Sequence, residues 1–125
     1  MRKFGVTFPG AGAGISGIYA LKRWPAIREY IFTDCHARVL ENLRHNLAVN
    51  AAVGGRVEYL DWEQEEEGER SRLLPDVVLG ADIVYDARVI PSLVSTLSWL
   101  LQAGAVAYIV STIRNGIYIK DGILW

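Results

Sequence analysis

Short, nearly continuous apolar runs recur along this chain and alternate with helical stripes, and this alternation restricts the fold more than any other feature. Lys3 to Phe8, Glu29 to Thr33, Arg56 to Leu60, Asp76 to Tyr85 and Ala105 to Ile113 each read as a strand. Between the first two, Ile15, Ile18, Tyr19 and Leu21 follow a helical spacing that Pro25 ends. Arg38 to Val49 carries Val39, Leu40, Leu43 and Leu47 on one stripe with charge opposite, and Gly54-Gly55 stops it. Val89 to Leu101 is a third helix, with Pro91 in its first turn and Gly104 closing it. Strands that are apolar throughout are covered on both faces, and helices crossing between parallel strands supply that cover. The pattern therefore predicts an α/β fold: a doubly wound, mostly parallel sheet of about five strands. The length suits one domain over residues 1–125.

Two segments stand outside the pattern. Glu63 to Arg72 is dense in charge, with three consecutive glutamates, and predicts a solvated loop or short surface helix. Arg114-Asn115-Gly116 reads as a turn, and Ile117 to Trp125 follows no clear period.

Charge and cysteine content exclude several classes. A formal net charge of -1 leaves no basic footprint for nucleic acid. No apolar run approaches the roughly 18 residues that read as a membrane span, and no secretory cleavage pattern follows the basic start. Cys35 is the single cysteine, so no internal disulfide forms and a reducing compartment is expected. His36 beside it invites a metal. With His45 the only other histidine, the count falls short of the about four ligands of a structural zinc site, and no metal is expected.

In an open parallel sheet, ligands bind beyond the C-terminal ends of the strands, where strand order reverses. Here the first strand leads into Gly10-x-Gly12-x-Gly14-x-x-Gly17, and the second ends at Asp34. The third ends at Asp61-Trp62, and the fourth, with Asp82 at its C-terminal end, is followed by Tyr85. Glycines let a backbone turn tightly and approach a ligand, and a helix starting at Ile15 points its first N–H groups at the same place. Asp34, about 20 residues beyond Gly14, is placed to accept ribose hydroxyls. Asp61 suits an adenine amino group, with the Trp62 indole packed on the ring. Each residue also has a plain structural reading: a tight turn, a helix cap, a turn former, a core aromatic. Their joint placement at successive strand ends is what indicates a nucleoside site. The turn alone does not choose the ligand. Gly12-x-Gly14-x-x-Gly17 fits a dinucleotide fingerprint and NAD, whereas Gly10-x-Gly12-x-Gly14 fits a methyltransferase turn.

Taken in order, Gly10-Ala-Gly-Ala-Gly-Ile-Ser-Gly17, Ile31-Phe-Thr-Asp-Cys-His36, Leu60-Asp-Trp62 and Pro75-Asp-Val-Val-Leu-Gly-Ala-Asp-Ile-Val-Tyr85 resemble the seven-strand protein-lysine methyltransferases. Thr33-Asp-Cys-His36, Arg38-Val-Leu40 and Thr112-Ile-Arg-Asn115 narrow the resemblance to the branch acting on elongation factor 2. The resemblance covers roughly Gly10 to Asn115. It implies a Rossmann-like methyltransferase core, S-adenosyl-L-methionine as cofactor, elongation factor 2 as protein substrate and a cytoplasmic setting. By the same resemblance, Gly10, Gly12 and Gly14 face the methionine part of the cofactor and Asp34 its ribose. Asp61 and Trp62 face the adenine, and Ala81 walls the site beyond the fourth strand. Asp82 and Tyr85 match an Asp-x-x-Tyr signature and are the implied catalytic pair, orienting a neutral lysine amine.

The chain also departs from that pattern. The family usually has an acidic residue two positions before the first glycine, where Phe8 stands here. A long N-terminal extension and the last two strands are not found, and Gly116 to Trp125 does not follow the family. The expectation is a core truncated at both ends. Two other readings follow: a non-catalytic remnant of the same fold, and an NAD-binding module of an oxidoreductase.

Overall fold

The computed structural model describes residues 2–64, 73–102 and 104–112. Its elements are β1 (Phe4–Phe8), α1 (Ile15–Arg23), β2 (Ile27–Asp34), α2 (Ala37–Val49), β3 (Gly55–Tyr59), β4 (Val77–Ala81), α3 (Ile90–Leu101) and β5 (Val106–Val110). A short 3-10 turn over Ala87–Val89 leads into α3. The strands form one sheet in the order β3-β2-β1-β4-β5, and every pairing is parallel. The chain winds outward from β1 to β3, then crosses back to lay β4 on the other side of β1. Strand order therefore reverses between β1 and β4, as a doubly wound sheet requires.

The apolar runs explain the layers. Side chains alternate between faces along a strand. Tyr30 and Phe32 of β2 join Val6 and Phe8 of β1 in one buried cluster, closed by Ile18 and Ala20 of α1 and Leu40 and Leu43 of α2. Ile31 of β2 and Val78 of β4 pack in a second cluster with Leu60, Leu73 and Leu100 of α3. The aromatic rings set the depth of the first cluster. Tyr30 and Phe32 lie 4.6 Å apart between centroids, and Phe8 stacks on Tyr30 at 6.5 Å. Helix α1 rests directly on this pair at Gly17. A Cβ there would fall 2.3 Å from Phe32 Cε1 and 2.5 Å from Tyr30 Cε1, so only glycine fits.

Element ends differ from expectation in a few places. β2 runs from Ile27 to Asp34, longer than Glu29 to Thr33, because it is paired along both edges by β1 and β3. Within the Asp76 to Tyr85 run, β4 is Val77–Ala81, with Asp82 at its C-terminal end as expected. The strand stops there because the Asp82 φ of 52° is left-handed and cannot continue it. α3 begins at Ile90, after Asp86 accepts a hydrogen bond from the Arg88 N–H at 2.9 Å. Most of the Glu63 to Arg72 segment, the end of the fifth predicted strand at Ile113 and all of Arg114 to Trp125 lie outside the described residues. Among the described residues, no helix is long and apolar enough to cross a membrane.

One sheet face is bare at its edge. Val78 pairs with Ala107, so Val106, Tyr108 and Val110 of β5 share the face that α1 and α2 cover over β1, β2 and β3. Those three residues are 53%, 60% and 70% exposed. Among the described residues nothing covers them.

Candidate functional site

The turn after β1 sits at the reversal point and is tied down from several directions. The Ala11 N–H donates to Thr33 O at 2.8 Å, and the Gly14 N–H to Ala11 O at 3.0 Å. The buried Thr33 hydroxyl donates to Phe8 O at 3.1 Å, joining β2 to the last residue of β1. From α2, the Asn46 amide donates to Ala13 O at 2.9 Å. Gly10, Gly12 and Gly14 take φ values of 66°, 55° and 79°, a run that side-chain-bearing residues rarely adopt. A Cβ on Gly14 would meet Leu43 Cδ2 at 2.6 Å, whereas one on Gly12 would meet nothing within 4 Å. The turn is thus packed on its inner side and open on its outer side. Gly14 precedes α1 without any side-chain cap, which leaves the first N–H groups of the helix for another acceptor.

Three strand ends meet at Gly10. A Cβ there would lie 3.3 Å from Trp62 Cζ2, beyond β3, and 3.3 Å from Ile83 Cγ2, beyond β4. Trp62 is half-buried and also packs against the Leu60, Leu73 and Leu100 cluster. Its indole therefore braces the turn from behind, as a core aromatic does. Asp61 beside it accepts from the Glu63 N–H at 2.9 Å through Oδ1, a turn-forming contact.

Asp34 closes β2 opposite Tyr59 of β3. Its Oδ1 accepts from the His36 N–H at 3.0 Å and lies 3.1 Å from His36 Nδ1. Among the described residues all its contacts fall on Oδ1, so Oδ2 is an open acceptor next to the glycine turn. His36, not Asp34, is the residue at the N-terminal boundary of α2, and it provides no side-chain cap. The Asp34, Cys35 and His36 donor atoms lie within 4.8 Å of one another. These three come from consecutive residues at the surface, and Asp34 Oδ1 is already engaged by His36. Desolvation of the sulfur, with the carboxylates of Asp34, Asp61 and Glu63 behind it, holds the Cys35 thiol above its ordinary value. Burial is the larger cause, and the carboxylates add to it.

At the end of β4, Ala81 and Asp82 are exposed. The Asp82 N–H donates to Val110 O at 2.8 Å. Its carboxylate accepts from the Thr112 N–H at 2.8 Å and lies 3.3 Å from the Thr112 hydroxyl. Tyr85 is 60% exposed. No hydrogen bond joins it to Asp82 among the described residues, so Asp82 and Tyr85 stand near one another in sequence without forming a bonded pair. Asn46 and Thr112 carry no expected role from spacing, yet they fix the glycine turn and the Asp82 carboxylate respectively.

This fold is shared with solved methyltransferases. Coclaurine N-methyltransferase, solved with N-methylheliamine and SAH, superimposes with a TM-score of 0.71 at 13% identity, over 87% of this chain and 31% of that one. PKMT2 from Rickettsia typhi, solved with AdoHcy, gives 0.65 at 15%, over 86% of this chain and 20% of that one. The match to a lysine methyltransferase family model extends over residues 4–119, and the chain belongs to that family. Relatives include the human protein-lysine N-methyltransferase EEF2KMT, 36% identical over 85% of this chain and 37% of that protein. Another is the protein-lysine N-methyltransferase EFM3 of Chaetomium thermophilum, 34% identical over 85% of this chain and 34% of that protein. The chain thus spans little more than a third of the length of these relatives.

Proposed function

We propose that this chain is the cofactor-binding part of a protein-lysine N-methyltransferase that uses S-adenosyl-L-methionine and acts on elongation factor 2 in the cytoplasm. The observation that carries the reading is the meeting at Gly10 of the glycine turn, Trp62 and Ile83, with the open Asp34 Oδ2 at the next strand end. The residues present fit the cofactor: a turn open at Gly12, uncapped helix N–H groups and an unspent Asp34 carboxylate oxygen. When bound, S-adenosylmethionine supplies an electrophilic methyl on a positively charged sulfur. Asp34 would hold the ribose, the Gly10, Gly12 and Gly14 backbone the methionine end, and Asp61, Trp62 and Ala81 the adenine side and the far wall. Asp82 and Tyr85 would orient the incoming amine, which must be uncharged to act as a nucleophile. Positioning of that kind is worth many powers of ten in rate without any acid or base. The test is transfer of labelled methyl to elongation factor 2. Asp82→Ala should cut transfer by about tenfold or more, a larger loss than the fall in folded chain that follows from losing its bonds to Thr112. An equal loss of folding would make Asp82 structural only.

One observation favours a second reading, in which the core keeps its shape without transferring methyl. Phe8 stands where the family resemblance implies a carboxylate, and it is buried and stacked on Tyr30. The methionine end then lacks a charged partner from β1. NAD binding gains no such support, because the turn alone argued for it.

A further inference from the structure

Asp82 takes a left-handed backbone conformation and is hydrogen-bonded to the end of β5. Its φ of 52° lies in a region that few residues with a Cβ other than asparagine and aspartate visit. Burial does not compel it, since Asp82 is exposed. Hydrogen bonds to the end of β5 support it: N–H to Val110 O at 2.8 Å, and both carboxylate oxygens toward Thr112. The two Thr112 contacts differ in kind. The backbone N–H to Oδ1 ties the tips of β4 and β5 together and survives any substitution except proline. The hydroxyl at 3.3 Å from Oδ2 fixes the rotation of the carboxylate about its own axis. That rotation sets the direction of the carboxylate, beside the β1–β4 reversal.

We infer that Thr112 is a positioning residue for methyl transfer: its hydroxyl orients the Asp82 carboxylate toward the incoming lysine amine without touching cofactor or substrate. This rests on the methyl-transfer reading above. Thr112→Val keeps the volume and the backbone N–H and removes only the hydroxyl, and Thr112→Ser returns it. The experiment measures kcat and KM for labelled methyl transfer to elongation factor 2, with S-adenosylhomocysteine affinity by calorimetry, for the chain and both variants. Thr112→Val should lower kcat by about five- to tenfold, the scale of one hydrogen bond to a charged group, with cofactor affinity within about twofold. Thr112→Ser should restore kcat to within about twofold. Normal turnover in Thr112→Val, no rescue by serine, or a parallel loss of cofactor affinity would each overturn the role of Thr112 while leaving the methyltransferase reading in place. Failure of the unsubstituted chain to transfer methyl despite binding S-adenosylhomocysteine would instead overturn that reading, and this inference with it.

Discussion

Gly17 shows how much of this molecule depends on a missing atom. Its Cα presses α1 onto the Tyr30 and Phe32 rings, closer than any Cβ tolerates. Gly17→Ala should therefore destabilise the fold by about 1–3 kcal/mol through overpacking, measured by chemical denaturation. A neutral outcome would mean that α1 is free to lift from the sheet. The glycines of the turn were legible in the sequence as a group, because a run with this spacing after a strand has few other uses. The sequence did not separate their individual jobs. Gly14 and Gly17 are steric, set by Leu43 and the two rings, whereas Gly12 is open to one side. Trp62 is a similar case. Its position after β3 was evident, but only the winding of the chain brings it to Gly10 and makes it a brace.

At the scale of elements, the order of strands and helices follows from apolar periodicity and is borne out throughout the described residues. What periodicity does not contain is contact between elements distant in sequence. Asn46 reaches Ala13 across 33 residues, and Thr112 reaches Asp82 across 30. Both depend on α2 and β5 being laid beside particular strand ends, which local pattern does not specify. The end of β4 at Asp82, by contrast, is set by one residue's backbone. Ile83 and Val84 look like strand residues, but Asp82 turns the chain first, and Ile83 is buried against Gly10 instead. The Asn46 contact leads to a prediction about α2. Asn46→Ala should weaken S-adenosylhomocysteine binding by about three- to tenfold, as expected for one lost hydrogen bond, with little change in thermal unfolding. Unchanged affinity would show that the Ala11 and Gly14 backbone bonds hold the turn unaided.

The described residues join a well-anchored strand-end site to an apolar strip on β5 that none of them covers. Val106, Tyr108 and Val110 form a strip on an edge strand, a surface that pairs or associates readily. Tyr108→Lys should reduce self-association in light scattering and leave cofactor affinity unchanged. Persistent association would place the adhesive surface elsewhere. The central claim concerns the other end of the sheet, where β1 to β4 converge on one nucleoside site. Calorimetric titration of the chain with S-adenosylhomocysteine, with NAD and the Asp34→Ala variant as controls, tests it most directly. Saturable binding is predicted, weakened by about 1.5–3 kcal/mol in Asp34→Ala, as for lost hydrogen bonds to a charged acceptor, and absent for NAD. A folded chain that does not bind S-adenosylhomocysteine, or binds it equally well without the Asp34 carboxylate, would contradict the account.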